Sequence, residues 1–193
     1  SYPGMCSLGG SFVSANIEDY YLTPWDLGYG IMVKFDHEFV GREALEQKKD
    51  QQHRRKVTLA LDNADIVRVM SSMLQTGDKA KFLEFPSAVY AMHPYDAVLK
   101  DGRTVGISTW IGYTVNAGRF LALAMVDEAV ATPGTEVTLL WGEPDGGTSK
   151  PTVERHVQTE IKATVAPVPY SEVARDSYAD GWRNRRSCSN SCC

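Results

Sequence analysis

Apolar and polar positions alternate along several short stretches of the chain, and these stretches predict β-strands. The alternation is clearest in residues 56–61, where Val57, Leu59 and Leu61 share one face, as expected of a half-buried strand. Further strands are predicted at residues 88–92, 96–99, 104–108, 120–126, 136–141 and 160–165. Glycine, proline and aspartate separate these runs, so the second half of the chain is predicted to form a sandwich or a small barrel.

The segment before the first of these strands combines a loop with one isolated strand. Pro24 has a fixed φ and favours an extended conformation at the residue before it, so residues 20–25 are predicted to form a rigid loop. Residues 28–35 alternate as a half-buried strand does, with Ile31, Val33 and Phe35 on one face.

Two stretches follow the helical period instead. Residues 41–52 are predicted to form a short helix whose charged residues face water. Its inward residues are predicted to be Ala44 and Leu45. A second helix is predicted to begin with Asn63 or Asp65 as its N-cap and to end at Gly77. Its apolar residues at helical spacing are Ile66, Val69, Met70, Met73 and Leu74.

Composition narrows the class of protein. The chain has 193 residues, of which 43% are hydrophobic, so it can bury a core in one or two domains. Its net charge of -4 argues against a general nucleic-acid binder, which normally shows a basic face. No apolar run reaches membrane-spanning length and no signal peptide pattern opens the chain. We therefore expect no nucleic-acid or membrane partner and a cytoplasmic location.

The four cysteines do not predict a disulfide framework or a metal site. They are Cys6, Cys188, Cys192 and Cys193. A disulfide-stabilised fold would distribute its cysteines among the core elements. The C-terminal group could supply thiolates, but the nearest histidine, His156, is far away along the chain, and zinc sites need a second ligand pair at a fixed spacing. We therefore expect no metal site and an exposed C-terminal tail.

Catalytic motifs of the common kinds are absent from the sequence. The four histidines show no metal-ligand spacing, and there is no P-loop, dinucleotide fingerprint or nucleophile elbow. Asp19 and Asp26 flank an aromatic loop, but acids in such turns more often bind backbone amides than transfer protons. The loop does carry Tyr20, Tyr21 and Trp25, whose rings suit either a ligand pocket or a seam between domains.

Two motifs nevertheless carry a family resemblance. Residues 24–30 read P-W-D-L-G-Y-G, and residues 39–45 read F-V-G-R-E-A-L. With these motifs the chain resembles the glycine cleavage T-protein (aminomethyltransferase) superfamily. Similar barrel motifs occur at residues 106–110, 116–119, 121–126 and 133–137. The variant at residues 17–30, I-E-D-Y-Y-L-T-P-W-D-L-G-Y-G, is most similar to the tetrahydrofolate-dependent aryl O-demethylases that act on vanillate-like and syringate-like methoxyarenes.

The resemblance implies an α+β, mainly β fold. We expect a short α/β connecting segment followed by a C-terminal Greek-key β-barrel of the aminomethyltransferase type. Residues 1–55 would then be the end of a folate-binding and catalytic region. Residues 56–170 would form the barrel with a helical insertion, and residues 171–193 a disordered tail.

The resemblance also implies the chemistry, which is methyl transfer from a methoxyarene to tetrahydrofolate. In the family the catalytic acid or tyrosine lies upstream of the first residue here, so no residue is assigned a catalytic role and the isolated chain is expected to be inactive. Tyr20, Tyr21, Trp25 and Trp110 are predicted to form part of a pocket wall for the folate and the small aromatic substrate. Packing at an interdomain seam is the alternative for Tyr21 and Trp25.

Two further functions stay open at this stage. The chain could be a non-catalytic barrel module for interaction or regulation, or a fragment of a glycine-cleavage-type aminomethyltransferase. Each of these functions predicts an apolar surface that either a missing N-terminal half or a second copy of the chain would cover.

Overall fold

The computed structural model describes residues 8–83, 85, 93–147 and 153–178. Its strands are β1 (Leu8–Gly9), β2 (Arg55–Leu61), β3 (His93–Pro94), β4 (Asp96–Lys100), β5 (Arg103–Thr114), β6 (Arg119–Val126), β7 (Glu136–Trp141) and β8 (Thr159–Ala166). Its α-helices are α1 (Arg42–Lys48) and α2 (Asn63–Ser72). Short 3₁₀ helices span Ile17–Tyr20, Gly30–Met32 and Glu128–Val130, and a π-helical turn spans Val173–Ser177.

Six strands close into an antiparallel barrel in the order β2-β6-β5-β4-β7-β8, with β8 pairing back to β2. The strands β4, β5 and β6 follow one another as neighbours, and β7 returns to pair with β4 on the far side. This order is a Greek key. The predicted Greek-key barrel and the mainly β fold class are therefore confirmed, as are the predicted strands from residue 96 onwards.

An Asp-Gly pair between two strand-like runs is a sequence signal for a hairpin, and Asp101-Gly102 forms this turn between β4 and β5. Asp101 has a φ of 51° and Gly102 a φ of 75°, and a two-residue turn that matches the strand twist needs positive φ at both central positions. Lys100 pairs with Arg103 across the turn. Local turn chemistry alone thus fixes the register at this end of the barrel.

The core fills the barrel with side chains from all six strands. Its fully buried members include Leu59, Leu61, Val98, Ala122, Leu139, Trp141 and Ile161. The predicted inward face of β2 is right, but the residues between, Thr58 and Ala60, are buried as well. The strand therefore has no solvent-facing side over most of its length.

The strand predicted at residues 28–35 is wrong. Gly30–Met32 form a 3₁₀ helix, in which the amide of Met32 donates to the carbonyl of Tyr29. Ile31 is 85% exposed, so the alternating residues do not share a buried face. These local turn hydrogen bonds replace the inter-strand ladder that the alternation had predicted.

The helices are shorter than the periodicity predicted. Helix α1 ends at Lys48, and Ala44, predicted to point inward, is exposed. Helix α2 ends at Ser72, so Leu74 lies beyond it and is exposed. The N-cap is Asp62 rather than Asn63 or Asp65, because its extended backbone lets its carboxylate accept the amide of Asp65 at 2.9 Å. Ile66 and Val69 form the buried stripe, as predicted.

Several predictions lie outside the described residues. They are the strand at residues 88–92, all four cysteines and the arginine-rich end of the tail. The proposed division at residues 55 and 170 also stays a prediction, although the barrel strands begin at Arg55 and end at Ala166. None of the helices in the described part of the chain is long and apolar enough to cross a membrane.

Candidate functional site

The N-terminal residues of the described chain pack tightly against the barrel. Strand β1 pairs with β3 in parallel, and the amide of Phe12 donates to the carbonyl of Tyr95 at 2.9 Å. Between these contacts Gly10 has a φ of 96°, and a Cβ on it would overlap the carbonyl of Tyr95. The Gly9-Gly10 pair is therefore a site of close backbone approach rather than a flexible turn.

Ser11 extends this attachment into the barrel wall. Its hydroxyl donates to the carbonyl of Leu140 at 2.6 Å and accepts the amide of Ala97 at 2.8 Å, while its own amide donates to Asp96. One side chain thus bridges strands β4 and β7. The N-terminal residues are fixed relative to the barrel by these buried hydrogen bonds.

Tyr20 lines a cleft between the N-terminal residues and the barrel. The cleft has a volume of about 320 Å³ and is bounded by residues 8–10, Phe12, Val13 and residues 143–145. The Tyr20 ring packs edge-on against Phe12 and Tyr95, with ring centroids at 5.0 and 5.6 Å. We call this the Tyr20 cleft.

The Tyr20 hydroxyl is already engaged in backbone hydrogen bonds. It accepts the amide of Ser14 at 3.0 Å and donates to the carbonyl of Phe12 at 3.3 Å. Burial raises the pKa of the neighbouring Tyr95 above its ordinary value. Tyr95 therefore stays neutral at physiological pH. The hydrogen bonds of the Tyr20 hydroxyl to backbone atoms suit Tyr20 to shaping the cleft wall rather than to moving a proton.

A buried charged pair lies beneath this cleft, and sequence reasoning missed it. Lys81 and Glu143 are both almost fully buried, and their Nζ and Oε1 atoms lie 3.8 Å apart. The Lys81 ammonium also lies 5.2 Å from the centre of the Trp141 ring, a cation–π contact. Glu143 contributes both to the Tyr20 cleft and to a second cleft around His156.

His156 holds the loop that carries Glu143. Its Nε2 accepts the amide of Glu143 at 2.7 Å, so its Nδ1 carries the proton and donates to the carbonyl of Glu154 at 2.8 Å. Both ring nitrogens are used in these backbone contacts. The described residues contain no group of three histidine, cysteine or acidic side chains that could hold a metal ion.

Trp25 lies in a separate cluster at the start of the barrel. Its ring stacks on His53, with centroids 4.9 Å apart, and presses against Gly30, where a Cβ would overlap the indole. His53, the first residue of a basic run at residues 53–56, thus packs against the aromatic loop. Tyr21, by contrast, is 62% exposed, so neighbouring aromatic residues of one loop have different surroundings.

Asp26 holds this cluster together. Its buried carboxylate accepts the amide and the hydroxyl of Thr23, both at 2.7 Å, and the amide of Arg54 at 2.7 Å. The aromatic loop is thereby attached to the residue that precedes β2. The interpretation of Asp26 as an acceptor for backbone amides, rather than an acid–base group, agrees with this geometry.

Trp110 lies in neither of these clusters. It lines a groove of about 450 Å³ on the outer face of the barrel, together with Leu121 of β6 and residues 170–172. We call this the Trp110 groove. The four predicted wall residues are therefore distributed over the Tyr20 cleft, the Trp25 cluster, an exposed loop position and the Trp110 groove, and their assignment to one ligand pocket stays a prediction.

Comparison with known proteins gives several relatives. The chain is 64% identical over 187 residues to syringate O-demethylase from Sphingobium sp., a match that covers 97% of this chain and 40% of that protein. It is 33% identical to sesamin methylene transferase from Sinomonas sp., with 87% of this chain and 37% of that protein covered.

A third relative is aminomethyltransferase from Streptomyces avermitilis, which is 33% identical over 59% of this chain and 26% of that protein. No family model matches the chain. In each of these three comparisons, the chain spans at most 40% of the relative's length.

Proposed function

We propose that this chain, which belongs to the superfamily of aminomethyltransferase and syringate O-demethylase, is the C-terminal part of a tetrahydrofolate-dependent aryl O-demethylase. The reaction moves a methyl group from a methoxyarene to the folate. The observation that supports this assignment most strongly is the 64% identity to syringate O-demethylase over 97% of the chain, since the identity to the other two relatives is 33%.

The transfer needs a site that holds the folate and the arene in line and a donor for the phenolate that leaves. We propose that the described residues contribute walls to such a site, among them the ring of Tyr20. The Tyr20 hydroxyl, however, is hydrogen-bonded to backbone atoms. We therefore assign the proton donor to the part of the relatives that this chain does not match, and we expect the isolated chain to be inactive.

Exposed apolar side chains support a docking role for the segment before the barrel. Large side chains that are exposed between residues 13 and 40 are Val13, Ile17, Tyr21, Tyr29, Ile31, Met32 and Val40. Apolar residues concentrated in one segment favour a contact with another protein surface. We propose that the N-terminal part of a family member covers this segment, and that without it the chain self-associates. We also propose a cytoplasmic location for the protein.

A reconstitution experiment tests the proposal. The chain is mixed with the part of syringate O-demethylase that it does not match, and formation of methyl-tetrahydrofolate from syringate is followed. We expect turnover only in the mixture. Each half alone is the control, and a mixture that associates but transfers no methyl group from any methoxyarene would leave the barrel as an interaction module.

A further inference from the structure

The Trp110 groove owes its shape to a bulge in strand β5. Before the bulge, Ser108 lies opposite Ala124, which belongs to the barrel core. Unbroken alternation would turn Trp110 to this same inner face. The register instead shifts between Ser108 and Trp110, so Thr109 is an extra residue and Trp110 faces outward.

The residues after the bulge confirm this change of face. Trp110 lies opposite Leu123, and Ile111 lies opposite the fully buried Ala122 and joins the core. Trp110 remains 47% exposed. The bulge in the backbone places the indole on the outer face of the barrel. The exposure of Trp110 therefore follows from the register of β5.

The outer face of the sheet forms one wall of the groove, and the segment after β8 forms the other. On the sheet side, Trp110, Gly112 and Thr114 occupy every second position of β5, and Leu121 lies on β6. Tyr170 and Glu172 line the other side. Two aromatic residues thus border a space of about 450 Å³, which is within the usual size range for small-molecule sites.

The polar groups in the groove select the charge of a ligand. The described lining residues offer the amide of Asn116, the hydroxyls of Thr114 and Ser171, and the carboxylate of Glu172, but no lysine or arginine. The nearby guanidinium of Arg175 is directed to the carbonyls of Pro169 and Tyr170. A carboxylate without a lining cation repels anionic ligands.

We propose that the Trp110 groove binds a neutral ring bearing hydroxyl groups, a phenol or a sugar, which stacks on Trp110 and donates hydrogen bonds to Glu172. Both phenols and sugars stack on aromatic faces, and a carboxylate accepts hydrogen bonds from the hydroxyl groups of either ring. A methoxylated aromatic acid carries the charge that this groove disfavours. The groove shares no lining residue with the Tyr20 cleft, and its proposed ligand is of another class than a methoxylated aromatic acid.

The test uses two probes, catechol and methyl β-glucoside, titrated into the chain labelled with ¹⁵N and followed by the indole N–H signals. We expect at least one probe to shift the Trp110 signal and to leave the Trp25 signal unchanged. Trp110→Leu identifies the indole signal by its loss. Followed by the backbone amide signals of the groove residues, this variant should bind that probe about three- to tenfold more weakly. Phe82→Leu, a change at an exposed aromatic residue outside the groove, is the matched control and should leave binding unchanged.

Charge selection is tested with 3,4-dihydroxybenzoate, which adds a carboxylate to catechol. It should bind more weakly than catechol, and Glu172→Gln should reduce this difference. A response to catechol assigns the groove to phenols and a response to the glucoside assigns it to sugars. If neither probe shifts the Trp110 signal, or if Trp110→Leu leaves the affinity of the bound probe unchanged, the proposal is wrong. These outcomes do not depend on whether reconstituted methyl transfer succeeds.

Discussion

At the scale of single residues, Gly10 makes the tightest backbone contact that joins the N-terminal residues to the barrel. Its positive φ and the adjacent carbonyl of Tyr95 leave no room for a side chain. Gly41 has nearly the same φ, 91°, but nothing within 4 Å of a Cβ. Substituting each glycine by alanine therefore separates two costs in stability. At Gly41 only backbone strain acts, whereas at Gly10 strain and steric overlap act together.

We predict that Gly10→Ala lowers the free energy of unfolding by at least about 2 kcal/mol, since strain and overlap act together. Gly41→Ala should cost only about 1 kcal/mol from the left-handed backbone. Urea denaturation followed by circular dichroism measures both. Equal losses for the two variants would contradict the close approach at Tyr95.

Asp65 is the residue with the clearest predicted pH dependence. Burial raises its pKa, but hydrogen bonds from the amide of Lys162 and from Arg68 outweigh burial and hold the pKa below its ordinary value of 3.8. A carboxyl whose pKa is lowered on folding stabilises the fold above its unfolded pKa, and this stability is lost as the pH falls through the folded pKa.

We therefore predict that Asp65→Asn reduces the free energy of unfolding by about 1 kcal/mol at neutral pH. The difference from the wild type should shrink as the pH falls below about 4. Asp36→Asn is the control, because Asp36 is fully exposed although His37 lowers its pKa. A wild-type advantage that persists unchanged at the lowest pH would rule out this role of Asp65.

At the scale of elements, the buried carboxylate of Asp26 joins the aromatic loop to the start of β2. We predict that Asp26→Ala costs about 1–3 kcal/mol, because it leaves the amides of Thr23 and Arg54 without their acceptor. These two amides should exchange with solvent faster in the variant. Hydrogen exchange measured by NMR gives both rates.

Asp19→Ala is the matched control for this prediction. Asp19 is an exposed acid of the same loop and accepts a hydrogen bond from the hydroxyl of Ser14. Its loss should leave the exchange of the Thr23 and Arg54 amides unchanged. If both variants protect these amides equally well, Asp26 does not hold the loop to the barrel.

The elements that sequence predicted well are those fixed by local signals. The apolar run of β6, the alternation in β7 and the Asp-Gly turn at residue 101 needed no knowledge of distant residues. The bulge at Thr109 was not predictable in this way, because it is defined by the register with β6. The alternation at residues 28–35 failed for a related reason, since turn hydrogen bonds formed there instead of a strand pairing.

The candidate sites were predicted less well than the barrel, because long-range contacts build them. Trp25 gains its partner His53 from the start of the barrel, and Trp110 faces Tyr170 from the segment after β8. Lys81 and Glu143 gave no sequence signal at all. Trp110 was predicted to be a wall residue, but the sequence did not indicate the groove that it lines.

At the scale of the whole molecule, a rigid barrel carries N-terminal residues and an aromatic loop that are fastened to it by buried polar contacts. The segment before the barrel exposes apolar side chains such as Ile31 and Met32, as expected of a surface that another part of the protein covers. This arrangement supports the proposal that the chain contributes to a composite site. In that site the barrel helps to position the folate and the arene, and the N-terminal part of the protein supplies the proton donor.

Calorimetric titration of tetrahydrofolate is the measurement that tests this proposal most directly. The folate is titrated into the chain alone, into the unmatched part of syringate O-demethylase alone, and into an equimolar mixture. We predict that the mixture binds folate more tightly than either component, and that the chain alone gives no heat of binding. A mixture that binds folate no better than its N-terminal component would contradict a folate site shared with this chain.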